Sequence, residues 1–263
     1  MIINFKLLAV YSLIFGVLAS DKVPGALTMI YSSLVSTAAL GYFLQYFAGY
    51  SNGLFIGIFI GILFSLLWLS HLPVGAYLPP SNNFAAAFAL LLLYSIKMTN
   101  LYYQISIILL ISVPVAYLSA KVEMFFRSVN VTVFDQTRHS IGKSRFYSMD
   151  LAVIFGIVSF ILWNSIFLAA FYYVFFYPVK IILIEGNKSP VFVVFIEIIS
   201  FLLVVYGAHK SFILFTYKKI QHILWFSIIV SAGLLFQTYT ILIIALVVFA
   251  LFMYNRRKNF EKS

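Results

Sequence analysis

From Ala26 to Tyr50 the chain carries no charged side chain, and the same holds from Tyr102 to Ala120. A helix needs about 20 apolar residues to cross the hydrocarbon core of a bilayer. Runs of this length therefore limit the chain to folds that live in lipid. The apolar residues are continuous, as in Ile107-Ile108-Leu109-Leu110-Ile111, whereas the strands of a membrane barrel alternate polar and apolar in pieces of about ten. Backbone polar groups in lipid must be satisfied within each segment, so the expected fold is all-α, a polytopic transmembrane helical bundle. Composition agrees. The 263 residues are 63% hydrophobic and 9% charged, against roughly 25% charged in a soluble domain, too little charge to cover the surface of a water-soluble core.

Nine hydrophobic segments are expected, at about the length that spanning requires: Leu7–Ala19, Ala26–Tyr50, Leu54–Leu69, Phe84–Met98, Tyr102–Ala120, Met149–Phe176, Pro190–Ala208, Ile223–Phe236 and Tyr239–Tyr254. The shorter ones are candidates for re-entrant or broken helices. The first run, behind Lys6, loosely imitates a secretory signal, but its basic region is weak and its cleavage site poor, so it reads as a retained helix. Together these make one integral membrane domain over 1–263, with a polar loop at 121–148 and a short basic tail at 255–263.

The formal net charge of +10 does not point to nucleic acid, because the basic residues sit in short stretches between apolar runs. Lys121, Arg127, Arg138, Lys143 and Arg145 fall in one such stretch, Lys210, Lys218 and Lys219 in a second, and Arg256, Arg257, Lys258 and Lys262 in the tail. The positive-inside rule places all three in the cytoplasm, and the loop Tyr177–Ser189 outside. With no cysteine, disulfides, thiolate nucleophiles and Cys-based metal sites are excluded.

Catalytic constellations are nearly absent. Of the seven acids only Glu197 stands well inside an apolar run. No HExxH, paired carboxylate at helical spacing or Ser/His/Asp pattern occurs. Gly142-Lys143-Ser144 resembles the end of a P-loop, but the required first glycine is Thr137, so the match fails. The stretch Leu69–Phe84 is more informative, with Pro73, Pro79, Pro80, Gly75, His71, Ser81, Asn82 and Asn83 between two short apolar runs. Prolines resist a continuous helix, and broken helices at membrane depth build substrate sites in transporters. Two readings stand open, a re-entrant segment lining a cavity and a plain surface loop. Glu197 likewise has two: an ionisable group inside a span is costly and functional by default, or it sits near a helix end and reaches interfacial water. The candidate substrate-binding set is His71, Ser81, Asn82, Asn83 and Glu197, with Glu197 opposite the others. No metal or cofactor is expected.

Two stretches together resemble the IIC permease subunits of the mannose-type phosphotransferase system. In Leu72–Ala87, Pro-Val-Gly-Ala-Tyr-Leu-Pro-Pro is followed by Asn82, Asn83 and an alanine-rich run. This is similar to the family's Ile-Gly-Ala-Ala turn, Pro-Asp pair and Ala-rich helix. In Val113–Gln136, Pro-Val-Ala leads to Glu123-Met124-Phe125-Phe126-Arg127-Ser128-Val129-Asn130-Val131 and Phe134, like the family segment that ends a helix and enters the main cytoplasmic loop. The resemblance covers roughly residues 50–150 and extends to the C-terminal half by hydropathy. The family's Pro-Asp aspartate corresponds to Ser81 and an acidic position of the preceding helix to Ser65. The resemblance implies a non-phosphorylated membrane subunit in a bacterial inner membrane that forms part of the path for a hexose. A IID membrane subunit would complete it, and soluble IIA and IIB subunits would carry the phosphate. The competing expectations are a non-transporting scaffold or regulator and an unrelated multi-pass carrier.

Overall fold

The computed structural model of the chain describes residues 4–19, 32–68, 80–96, 98, 100–141 and 147–215. Seven helices stand among them: α1 (Phe5–Leu18), α2 (Ser33–Ala48), α3 (Gly53–Trp68), α4 (Asn82–Ser95), α5 (Leu101–Ile141), α6 (Tyr147–Gly186) and α7 (Pro190–Phe215). Each falls on one of the first seven apolar runs. Ile223–Phe236 and Tyr239–Tyr254 lie outside the described residues. No strand occurs among the described residues.

Two boundaries differ from the sequence expectation. The polar stretch from Lys121 continues α5 as helix to Ile141. Between Val115 and Ile141 there is neither proline nor glycine, so nothing in the backbone ends the helix where the apolar residues end. Charge marks where the chain leaves lipid, not where the helix stops. Likewise α6 passes through Pro178 and ends at Gly186, so most of the expected loop Tyr177–Ser189 is helical.

The segments Leu101–Phe126, Val153–Gly186 and Pro190–Gly207 are long and apolar enough to cross a membrane. Large apolar side chains stand exposed on the outside of the bundle, among them Phe5, Tyr46, Phe55, Val174 and Val191. Exposure on this scale is stable where the surroundings are hydrocarbon rather than water.

The core is built around α4, which packs against α2, α3, α5 and α6. Every residue from Phe84 to Leu93 is buried, and a helix apolar on all sides belongs inside a bundle. α2 and α3 form an antiparallel hairpin through Gly49, whose φ of 64° places it in the left-handed region that glycine adopts freely. The two helices meet on small residues. A Cβ at Gly57 would stand 2.3 Å from the Thr37 carbonyl oxygen, and one at Gly41 would stand 2.3 Å from that of Gly53. Such close backbone approach drives helix association in lipid, where no hydrophobic effect operates between helices.

Candidate functional site

α4 has 14 residues, about 21 Å at 1.5 Å per residue, short of a hydrocarbon core of about 30 Å. Both of its ends therefore need partners inside the protein for the backbone groups that a helix terminus leaves open. At the N-terminus, Ser81 Oγ accepts from the Phe84 N–H at 3.4 Å and Asn82 Oδ1 accepts from the Asn83 N–H at 2.8 Å. The turn is held by the Ser81 N–H, which donates to the Ala116 carbonyl of α5 at 3.2 Å. At the C-terminus, the Gln104 amide of α5 donates to the carbonyls of Leu93, at 3.3 Å, and Ile96. Midway, the buried Tyr11 hydroxyl of α1 donates to the Ala87 carbonyl at 2.9 Å. A short helix whose first turn is capped locally and tied to α5, and whose last turn is capped by Gln104 of α5, has its end groups satisfied within protein, as backbone at membrane depth requires.

Ser81, Asn82 and Asn83 are half-buried on this N-terminal turn. They form a compact group of neutral donors and acceptors on the positive end of a helix dipole. His71 lies outside the described residues.

Glu197 is half-buried on α7, with the Asn100 side chain beside its carboxylate. Asn100 caps α5, accepting from the Tyr103 N–H at 3.1 Å. From Asn100 to Ala116, which holds Ser81, the distance along α5 is roughly 24 Å. Because α4 and α5 are antiparallel, the α4 N-terminus meets the far part of the α5 span while Glu197 meets its start. The structure thus brings Ser81, Asn82 and Asn83 together and places Glu197 at the other end of the hairpin, not opposite them. The α5–α7 contact around it is itself polar, with Ser200 Oγ donating to the Ser106 carbonyl at 3.0 Å.

Three features escaped the sequence reading. Tyr11 and Gln104 act on α4 carbonyls through contacts between distant helices, for which no local signal exists. The third, a file of aromatic rings on α6 at Trp163, Phe167, Phe171 and Phe175, was visible as an every-fourth-residue pattern, the spacing that aligns side chains on one helix face.

No family model matches the chain, and no curated protein does. Among solved structures, one described as "Structure of membrane protein" is similar over 97% of this chain and 96% of its own length, with a TM-score of 0.60 and 11% identity. At that identity the likeness concerns the fold. Apolar helices of spanning length and an exterior of exposed apolar side chains define the chain as an integral membrane protein, all-helical among the described residues.

Proposed function

We propose that the chain is the membrane permease (IIC-like) subunit of a mannose-type sugar phosphotransferase system and forms part of the translocation path for a hexose or related sugar. The observation that carries this reading is the short α4, buried from Phe84 to Leu93, capped by Ser81 at its start and by Gln104 of α5 at its end, with Ser81, Asn82 and Asn83 on its N-terminal turn. Amides and hydroxyls both donate and accept, as recognition of an uncharged polyol requires. The same turn carries the sequence resemblance to the family.

In this reading the basic end of the bundle, with Lys121 and the stretch beyond it, faces the bacterial cytoplasm together with the C-terminus. A IID membrane subunit completes the path, and IIA and IIB subunits phosphorylate the arriving sugar. This chain supplies no phosphorylated residue. A non-transporting scaffold is the second reading. It is favoured by Ser65, which stands where the family has an acid and whose hydroxyl is hydrogen-bonded to that of Ser33 at 2.6 Å inside the bundle. The deciding experiment is uptake of labelled mannose, glucose and fructose by cells expressing the chain with its neighbouring phosphotransferase subunits. Uptake dependent on this chain supports the permease, and copurification without uptake of any hexose supports the scaffold.

A further inference from the structure

On α6, Trp163, Phe167, Phe171 and Phe175 stand in file, with successive ring centroids 5.4, 5.0 and 5.7 Å apart. Phe126 of α5 closes one end, 4.1 Å from Trp163. From α4, Phe84 and Phe88 set their edges against Phe171 and Phe175 at 5.8 and 5.9 Å. The file covers about 18 Å of α6. Its four rings are half-buried rather than sealed, so they retain an open side along the bundle. Phe84 directly follows Asn83 and faces Phe171, so the stretch Phe171, Phe167, Trp163 runs from the Ser81–Asn83 turn toward Phe126 at the end of the α5 apolar span, while Phe175 lies past the turn beside Phe88.

One polar atom in this file lacks a partner. The Nε1–H of Trp163 is shielded from solvent and has no hydrogen-bond partner among the described residues. A buried indole N–H usually finds an acceptor, and an unpaired one calls for an explanation. A lipid acyl chain covers the rings equally well but accepts no hydrogen bond.

We propose that this file is a stacking track for a pyranose, along which the sugar passes between the Ser81–Asn83 turn and the Phe126 end, with the Trp163 Nε1–H donating to a sugar oxygen. The chemistry is complementary. The flat face of a pyranose presents polarised C–H groups to the negative face of an aromatic ring, while its hydroxyls project sideways toward neutral donors and acceptors. Stacking of this kind is tolerant of position, so a row of rings lets a ligand advance in small steps without a deep binding well. The track rests on the permease reading and adds to it the surface that the sugar follows.

The chain has three tryptophans, and replacing Trp68 and Trp225 by Phe leaves Trp163 as the sole indole. The purified full-length single-tryptophan protein is titrated with mannose, glucose and fructose, and with mannitol, which has hydroxyls but no ring. A saturable change in Trp163 emission with at least one of the hexoses and none with mannitol is expected. In cells, Trp163→Phe should raise the uptake KM about three- to tenfold and Trp163→Leu further, at unchanged membrane abundance. Flat emission with all three hexoses, with uptake intact in Trp163→Leu, overturns the track and leaves the permease standing. Saturable emission in a chain that supports no uptake keeps the track and removes transport. Should Trp163→Leu fail to insert, the emission titration decides.

Discussion

The Asn100 side chain at the start of α5 lies beside the Glu197 carboxylate in the first half of α7, near enough to share a hydrogen bond. Asn100 is already committed to its own helix through the Tyr103 N–H, so its amide is held in one orientation and presented to the carboxylate. This makes Glu197 a fastener between helices. Glu197→Gln keeps a hydrogen-bond partner and removes a charge that is costly in a span. It should unfold in detergent at a temperature no lower than the wild type. Glu197→Leu should be less stable than Glu197→Gln by about 1 kcal/mol, the net worth of one hydrogen bond. Neither should change hexose KM, because the Ser81–Asn83 turn is roughly 24 Å away. A KM rise in Glu197→Gln as large as in an Asn82 variant would put Glu197 back on the path.

The caps of α4 should matter more. Gln104→Leu strands the carbonyls of Leu93 and Ile96 in a region without water, and each unsatisfied buried group costs about 1–3 kcal/mol. Tyr11→Phe removes only one donor from the Ala87 carbonyl, which also lies within the α4 helix. The expected order of thermal stability in detergent is wild type, then Tyr11→Phe lower by about 1 kcal/mol, then Gln104→Leu. A Gln104→Leu protein as stable as wild type would mean that water enters the α4–α5 junction.

The helices were legible because each rests on a run of apolar residues, and seven such runs became α1 to α7. Their ends were less so. Lys121 and the charges beyond it announce water, but a chain without Gly or Pro stays helical there, and α5 continues to Ile141. The shortness of α4 was legible in the length of its apolar run. Glu197 was legible as unusual, yet its partner was not. Which residue a helix meets across a bundle depends on packing and antiparallel register, and α4 and α5 run in opposite directions. The aromatic file was written in the sequence at every fourth residue, hidden by a background in which 19% of all residues are aromatic.

The α2–α3 hairpin supplies a sharp packing test. Gly57→Leu places a side chain where even a Cβ lies 2.3 Å from the Thr37 carbonyl oxygen. The helices must separate, at a cost of about 1–3 kcal/mol typical of overpacking or more, and the yield of folded protein in membranes should fall. Gly156→Ala is the control, since nothing lies within 4 Å of its Cβ position. Yield should be unchanged or slightly raised, as alanine favours helix over glycine by about 1 kcal/mol. Equal losses in the two variants would show that any substitution of glycine is harmful, whatever the contact.

Orientation can be tested directly because the chain has no native cysteine. Cysteines at Ser140 and Ser263 should resist an impermeant thiol reagent applied to intact cells and react after permeabilisation, as expected if the basic stretches near spans face inward. A cysteine at Lys188, whose ammonium pairs with Glu185 at 2.7 Å in the exposed turn between α6 and α7, should react in intact cells. The opposite pattern would invert the topology.

Asn82 and Asn83 carry the strongest functional expectation. The two amides share the α4 N-terminal turn with Ser81, whose backbone N–H pins the turn to α5. The Ser81 pin survives removal of either amide, while a sugar hydroxyl loses its partner. An unpaired polar group costs about 1–3 kcal/mol, so Asn82→Ala or Asn83→Ala should weaken hexose uptake by roughly ten- to a hundredfold at similar membrane abundance. The control has to face away from the bundle. Ile107, Ile108 and Leu109 do not qualify, because all three are buried in the core. Leu118, on the exposed face of the same helix, does, and Leu118→Ala should leave KM unchanged. Full uptake with both asparagines removed would show that the turn is structural and that the sugar passes elsewhere. A loss of abundance matching the loss of uptake would show that the amides serve folding.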